Sequence, residues 1–327
     1  MLRIQFTATD ILRTRIAAEP HPLWELALSL HVLRGGPNRP EQRAWRRQVR
    51  ARLHEAGMAR RLRLLAELVP AKGDFPDFLT PGVGVELDEA LELVRGTGRG
   101  RLREDLTRTF AGRTAPPWAR SLAHGDRDSL VALSGTLRDY FDVAVRPHWR
   151  QVHHRVAADR GRRSHHLTGG GVEQLFASLP EPIRWRWPVL ETNYPEDRTL
   201  HLGGRGLTLI PTYFGFGNPL TFIDPGLPPV LVYPVGATPE RPDAGAAKRL
   251  AALLGHTRAR VLLALGTPRT TSELSQRIEA SLASASQHTA VLREAGLVSS
   301  TRLGRAVLHC RTALGDRLVA DGEVSPR

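Results

Sequence analysis

Residues Thr270 to Val298 read TTSELSQRIEASLASASQHTAVLREAGLV, and the fold of the C-terminal part follows from them. Ser272 suits a helix N-cap, and Glu273, Leu274, Arg277 and Ile278 follow at helical spacing. Glu279 to Leu282 supply a turn. A second helix over about Ala283 to Glu294 ends where Gly296 can take the left-handed conformation of a C-cap. Two short helices around a tight turn, the second opening on small and polar residues, predict a helix-turn-helix. Beyond it, Leu297–Arg302 and Ala306–Thr312 read as strands around Leu303-Gly304-Arg305, an arginine-tipped hairpin in the position of a wing. Before it, Ala246–Leu254 and Arg258–Leu265 read as two further helices. Leu250, Leu253 and Leu254 give the first of these an apolar face suited to dimerisation.

Such a unit places its second helix in the major groove of double-stranded DNA. The first turns of that helix present Ser284, Gln287 and His288. Glutamine can bond adenine with both ends of its amide, while serine and histidine can reach a base edge or a phosphate. Ser281 stands at the helix N-terminus, where unpaired amides favour a phosphate. Arg293 adds a cation on the same helix, and Arg302 and Arg305 on the wing suit the backbone or the minor groove. Arg269 and Thr271, ahead of the first helix, are placed to clamp the other strand. The plainer alternatives are a surface role for Ser284 and a packing role for His288.

Ser286 and His288, followed by Leu292, Arg293, Glu294, Ala295, Gly296, Leu297 and Val298, carry a family pattern. The segment resembles the winged helix-turn-helix of arsenical-repressor (ArsR-type) regulators. In these a Ser-x-His on the recognition helix precedes Leu-x-x-Ala-Gly-Leu-Val. The resemblance implies a twofold dimer on a palindromic operator, with half-sites about 34 Å apart. Two departures stand out. Ser272-Glu273-Leu274-Ser275 replaces the Cys-x-Cys of founding members, so that metal site is absent, and Thr289 stands where an aliphatic residue is usual. More loosely, the N-terminal part resembles the long extension, of unknown function, of actinobacterial ArsR-like regulators. Leu23-Trp24-Glu25, Pro76 to Pro81 and Gly204-Arg205-Gly206 carry that likeness.

The chain has 327 residues, enough for two domains, and its 41% hydrophobic content fits a folded protein. The formal net charge of +13 suits a polyanionic partner. Lys72 and Lys248 are the only lysines, so the excess of arginine also looks like a compositional bias of the genome. Cys310 is the single cysteine, which rules out an intramolecular disulfide and a four-thiolate zinc site. The opening MLRIQFTATDILRTRIA lacks an apolar signal core, and no long apolar run suggests a membrane span, so a cytoplasmic protein is expected.

Along residues 1–240 the pattern is mostly helical. Leu2, Ile4 and Phe6 alternate as a strand, and Thr7 or Thr9 can cap a helix. Further helices are expected at Pro22–Leu33, Glu41–Val69, Leu87–Arg95, Leu102–Phe110, Ser129–Val145, His148–Arg160 and Gly171–Ser178. Glu41–Val69 is dense in arginine, which reads as a solvated face or, more sharply, a second DNA-backbone contact. The loop Asp74 to Pro81 either plugs a core or lines a pocket. From Ile183 to about 234 the period shortens to two, predicting a small antiparallel sheet, and 238–245 reads as a linker.

His153-His154 and His165-His166 invite a metal, but Arg155, Arg160, Arg162 and Arg163 crowd them with positive charge. Gly169-Gly170-Gly171 lacks the Lys-Ser/Thr of a phosphate-binding loop, and no nucleophile elbow or His-Glu-x-x-His occurs. The expectation is therefore a mainly α protein with small antiparallel β (α+β). A helical, signal-sensing domain at 1–240 precedes a winged helix-turn-helix at 245–320. It is read as a non-enzymatic, homodimeric repressor without cofactor or metal, with a small-molecule effector possible on the aromatic N-terminal part. The alternative is an interaction module whose winged helix no longer reads DNA.

Overall fold

The alternation at Leu2 and Ile4 becomes β1 (Leu2–Gln5) in the computed structural model, which describes residues 1–35, 40–70, 75–112, 114–235, 244–266, 269–303 and 306–321. Thr7 caps α1 (Ala8–Arg13) reciprocally: its hydroxyl accepts from the Asp10 amide at 3.3 Å, and Asp10 accepts from the Thr7 amide at 2.7 Å. β2 (Arg15–Ile16) leads to α2 (Pro22–Leu33), which is buried on nearly every side and forms the centre of the larger core. The arginine-dense stretch is two helices, α3 (Pro40–Glu55) and α4 (Ala59–Leu68), where a single one was expected. Gly57, at φ +62, takes the left-handed conformation that breaks them.

The loop around Phe75 and Phe78 plugs the core: both rings are buried, and residues 77–79 form a 3₁₀ turn. Then follow α5 (Leu87–Arg95), α6 (Arg99–Thr109), α7 (Pro117–Ala123), α8 (Arg127–Tyr140) and α9 (Trp149–Ala177). A π turn over 141–145 extends α8, and α9 kinks at Gly170 and Gly171. The strands β3 (Arg184–Arg186), β4 (Val189–Thr192), β5 (Arg198–His201), β6 (Thr208–Thr212) and β7 (Val230–Pro234) complete this unit.

The mainly α composition with small sheets is as expected; the strand pairing is not. One sheet has the order β3-β4-β1-β5, with β1 antiparallel to β4 and parallel to β5. The other, β2-β6-β7, is parallel throughout. Parallel partners need a crossover, and the helices from α2 to α9 provide it between β2 and β6. β6 and β7 are buried at every position, which fits the unbroken apolar run Val230-Leu231-Val232-Tyr233 better than alternation does.

Buried carboxylates fasten the loops to the helices. Glu25 on α2 accepts from the amides of Tyr213 (2.7 Å) and Phe214 (2.9 Å). Burial pushes its carboxyl up to about 7 against the opposing pull of those two bonds. Asp77 accepts from the Ile223 and Asp224 amides, Asp105 accepts from the Phe78 amide, and burial raises both. The Tyr233 hydroxyl donates to Asp159 at 2.8 Å, and burial raises that phenol well above its ordinary range.

The chain forms two compact units, Met1–Val235 and Gly236–Arg327. Residues 238–243 of the expected linker lie outside the described residues. The second unit runs α10 (Ala244–Leu254), α11 (His256–Ala264), β8 (Arg269–Thr270), α12 (Thr271–Arg277), α13 (Leu282–Glu294), β9 (Val298–Leu303), β10 (Ala306–Arg311) and α14 (Ala313–Asp321). Its antiparallel sheet has the order β8-β10-β9. Its core joins Leu250, Val261, Leu262, Leu274, Ile278, Ala285, Leu292 and Val298. The sequence reading did not foresee α14. An Arg311–Asp316 ion pair at 2.9 Å fastens it to β10.

Candidate nucleic-acid interface

α12 begins two residues earlier than expected. Its cap is Thr270, not Ser272. The Thr270 hydroxyl accepts from the Glu273 amide at 3.2 Å, and Glu273 accepts from the Thr270 amide at 2.8 Å. A capping box needs an acidic or amide side chain three residues on, and only Thr270 has Glu273 at that distance. Leu274 and Ile278 point into the core. The turn passes through Glu279 at φ +51, an exposed residue in the left-handed region.

Ser281 then caps α13, its hydroxyl accepting from the Ser284 amide at 3.1 Å. Ala285, Thr289 and Leu292 form the buried stripe of this helix. The Thr289 hydroxyl donates to the Ala285 carbonyl at 2.6 Å, which satisfies a polar group on a face otherwise apolar. Gln287 follows Ala285 by two residues, so it lies roughly 160° around the helix from it. It is exposed, as is Ala283. Ser284 and His288 sit half-buried on one shoulder, and Arg293 is exposed on the other. Gly296 at φ +70 ends the helix, with the Leu297 amide returning to the Leu292 carbonyl at 2.9 Å.

The wing is β9 and β10 in antiparallel register, Arg302 opposite Val307 and Ser300 opposite His309. Arg302 is exposed; Arg305, at the expected tip, lies outside the described residues. The two residues expected to clamp the far strand have internal partners. Arg269 is half-buried in β8 and its Nε donates to the Ala264 carbonyl at 2.8 Å. The Thr271 hydroxyl lies 2.9 Å from His309 Nε2.

His309 is the residue that sequence reasoning missed. Its other ring nitrogen, Nδ1, lies 2.8 Å from the Ser300 hydroxyl, so one imidazole joins α12, β10 and β9. Burial, with Arg293 as a second cause, holds its pKa below the ordinary value, favouring the neutral ring. A neutral imidazole donates at one nitrogen and accepts at the other, and hydroxyl partners suit either tautomer. Only the strand register distinguishes it from a surface histidine.

The expected dimer face on α10 narrows in the structure. Leu250 is buried in the unit's own core and Leu254 is half-buried, while Leu253 is 67% exposed. Among the described residues no group of three or more His, Cys, Asp or Glu side chains is placed to hold a metal; His153 instead lies 3.0 Å from Glu19. No helix among them is long and apolar enough to cross a membrane.

Residues 253–301 match a family model described as a helix-turn-helix domain, a span covering α11, α12, α13 and the start of the wing. Neither characterised proteins nor solved structures give a match to the chain. The C-terminal unit carries a helix-turn-helix DNA-binding domain, and this points to a DNA-binding regulator.

Proposed function

We propose that the protein is a sequence-specific, homodimeric transcriptional repressor of ArsR-like type whose N-terminal part, residues 1–240, receives a signal. The observation that carries this reading is the outer face of α13. The helix is capped at Ser281, anchored by Ala285, Thr289 and Leu292, and turns the uncharged Gln287 away from its core. An amide there can bond adenine with both ends, while Ser281, Ser284, His288, Arg293, Arg302 and Arg305 supply phosphate or further base contacts. Thr271 and Arg269 serve indirectly, Thr271 tying α12 to His309 on the wing and Arg269 tying β8 to the end of α11. Leu253 is the apolar position on α10 left for a second copy.

Fluorescence anisotropy with the protein's own promoter fragment and a scrambled duplex, at two salt concentrations, tests the proposal. Tight promoter binding that survives the higher salt is expected. Equal binding to both duplexes, lost together in salt, would reduce the +13 charge to generic affinity.

A further inference from the structure

A groove of about 440 Å³ runs between α6 and α7. Arg99 and Arg103, one turn apart, line it from α6; Arg120 on α7 and His124, which caps that helix at its C-terminus, line the other side. Leu106 and Phe110, both buried, form an apolar floor. Among the described residues no carboxylate lines it.

The charge on α6 is distributed unevenly. Arg101 lies 3.3 Å from Asp224, and Arg108 lies 2.9 Å from Glu104. Arg99 and Arg103, both exposed, have no ion-pair partner among the described residues. So on α6 the arginines away from the groove, Arg101 and Arg108, are ion-paired, and the two that line it are not. Like charges one helical turn apart oppose helix formation, which makes such a cluster unfavourable for folding alone. A guanidinium fork matches a carboxylate or a phosphate, and a volume of this size is typical of small-molecule sites.

We propose that this groove binds a small organic anion with an aromatic-sized apolar body and a carboxylate or phosphate head. The head sits between Arg99, Arg103 and Arg120, and the body lies on Leu106 and Phe110. The site belongs to the first unit and stands whether or not α13 reads DNA, so its test uses no DNA.

Isothermal titration calorimetry of the full chain with 2-naphthoate, 2-naphthyl phosphate and the neutral 2-naphthylmethanol decides the matter. One saturable site for at least one of the anions is expected, with the neutral analogue bound at least tenfold more weakly. The tighter of the two anions identifies the head group. Arg99→Ala/Arg103→Ala, and separately Arg103→Glu, should weaken the anion at least tenfold. The charge-matched pair Arg184→Ala/Arg186→Ala, at exposed positions on β3, should leave it unchanged. No saturable binding, equal binding of the neutral analogue, or equal losses in the groove and control variants would overturn the proposal.

Discussion

His309 Nε2 on β10 lies 2.9 Å from the Thr271 hydroxyl at the start of α12, and through Nδ1 the same ring reaches Ser300 on β9. The wing and the first helix of the pair therefore share one buried polar joint. His309→Ala removes both bonds and leaves two hydroxyls without them. We expect about 1–3 kcal/mol lost from the stability of the C-terminal unit in denaturant unfolding. Affinity should fall by the same factor for promoter and scrambled duplexes. Loss of sequence preference with stability intact would instead place His309 against the DNA.

Arg302 tests the wing. It is exposed opposite Val307, and on the proposed reading its cation would meet phosphate and carry no base information. Arg302→Ala should flatten the dependence of log K on log salt by about 0.9, one phosphate contact, on both duplexes. An unchanged slope would remove Arg302 from the interface.

Gly315 tests the packing of α14. A Cβ there would stand 2.2 Å from the Leu297 carbonyl oxygen, next to the turn that ends α13. Intrinsic helix propensity favours alanine over glycine by about 1 kcal/mol. The clash is with backbone, so Gly315→Ala should destabilise the C-terminal unit by about 1–3 kcal/mol in thermal or chemical unfolding. A stabilised variant would mean that α14 does not approach Leu297.

His21 tests the first unit through pH. Its Nδ1 accepts from the Trp24 amide at 3.3 Å, capping α2, and Nε2 lies 3.1 Å from the Pro81 carbonyl. Burial pushes its pKa down to about 4 from an ordinary 6.5. A depressed histidine contributes stability above pH 6.5 that is lost as pH falls towards 4, about 3 kcal/mol over that window. Glu25 has the opposite sign. Raised to about 7 from 4.5, it contributes fully below pH 4.5 and loses that contribution as pH rises through 7. His21→Asn keeps a good cap and removes one of the two opposed slopes. Unfolding followed from pH 4.5 to 7 should show the variant losing stability as pH rises, relative to the wild type. Parallel profiles would contradict the buried, neutral His21.

Local signals made much of this fold legible. Pro22–Leu33 and Leu87–Arg95 have the predicted bounds, and Gly296 stops α13 as its position suggested. The capping box at Thr270 is legible too, because Glu273 stands three residues after it. Pairing was not legible. Leu2 pairs with both Thr192 and Arg198, and no local pattern states that β1 enters between strands so distant in sequence. His309 was hidden for the same reason, because its partners come from α12 and β9 rather than from its own neighbourhood. The Gln287 face, in contrast, follows from helical period alone.

The most direct measurement is the ratio of promoter to scrambled-duplex affinity for the wild type and Gln287→Ala at one salt concentration. Base reading by α13 predicts that the variant loses about 1–3 kcal/mol on the promoter and nothing on the scrambled duplex, so the ratio collapses. Equal losses on both duplexes, or a ratio that does not move, would contradict recognition through this helix.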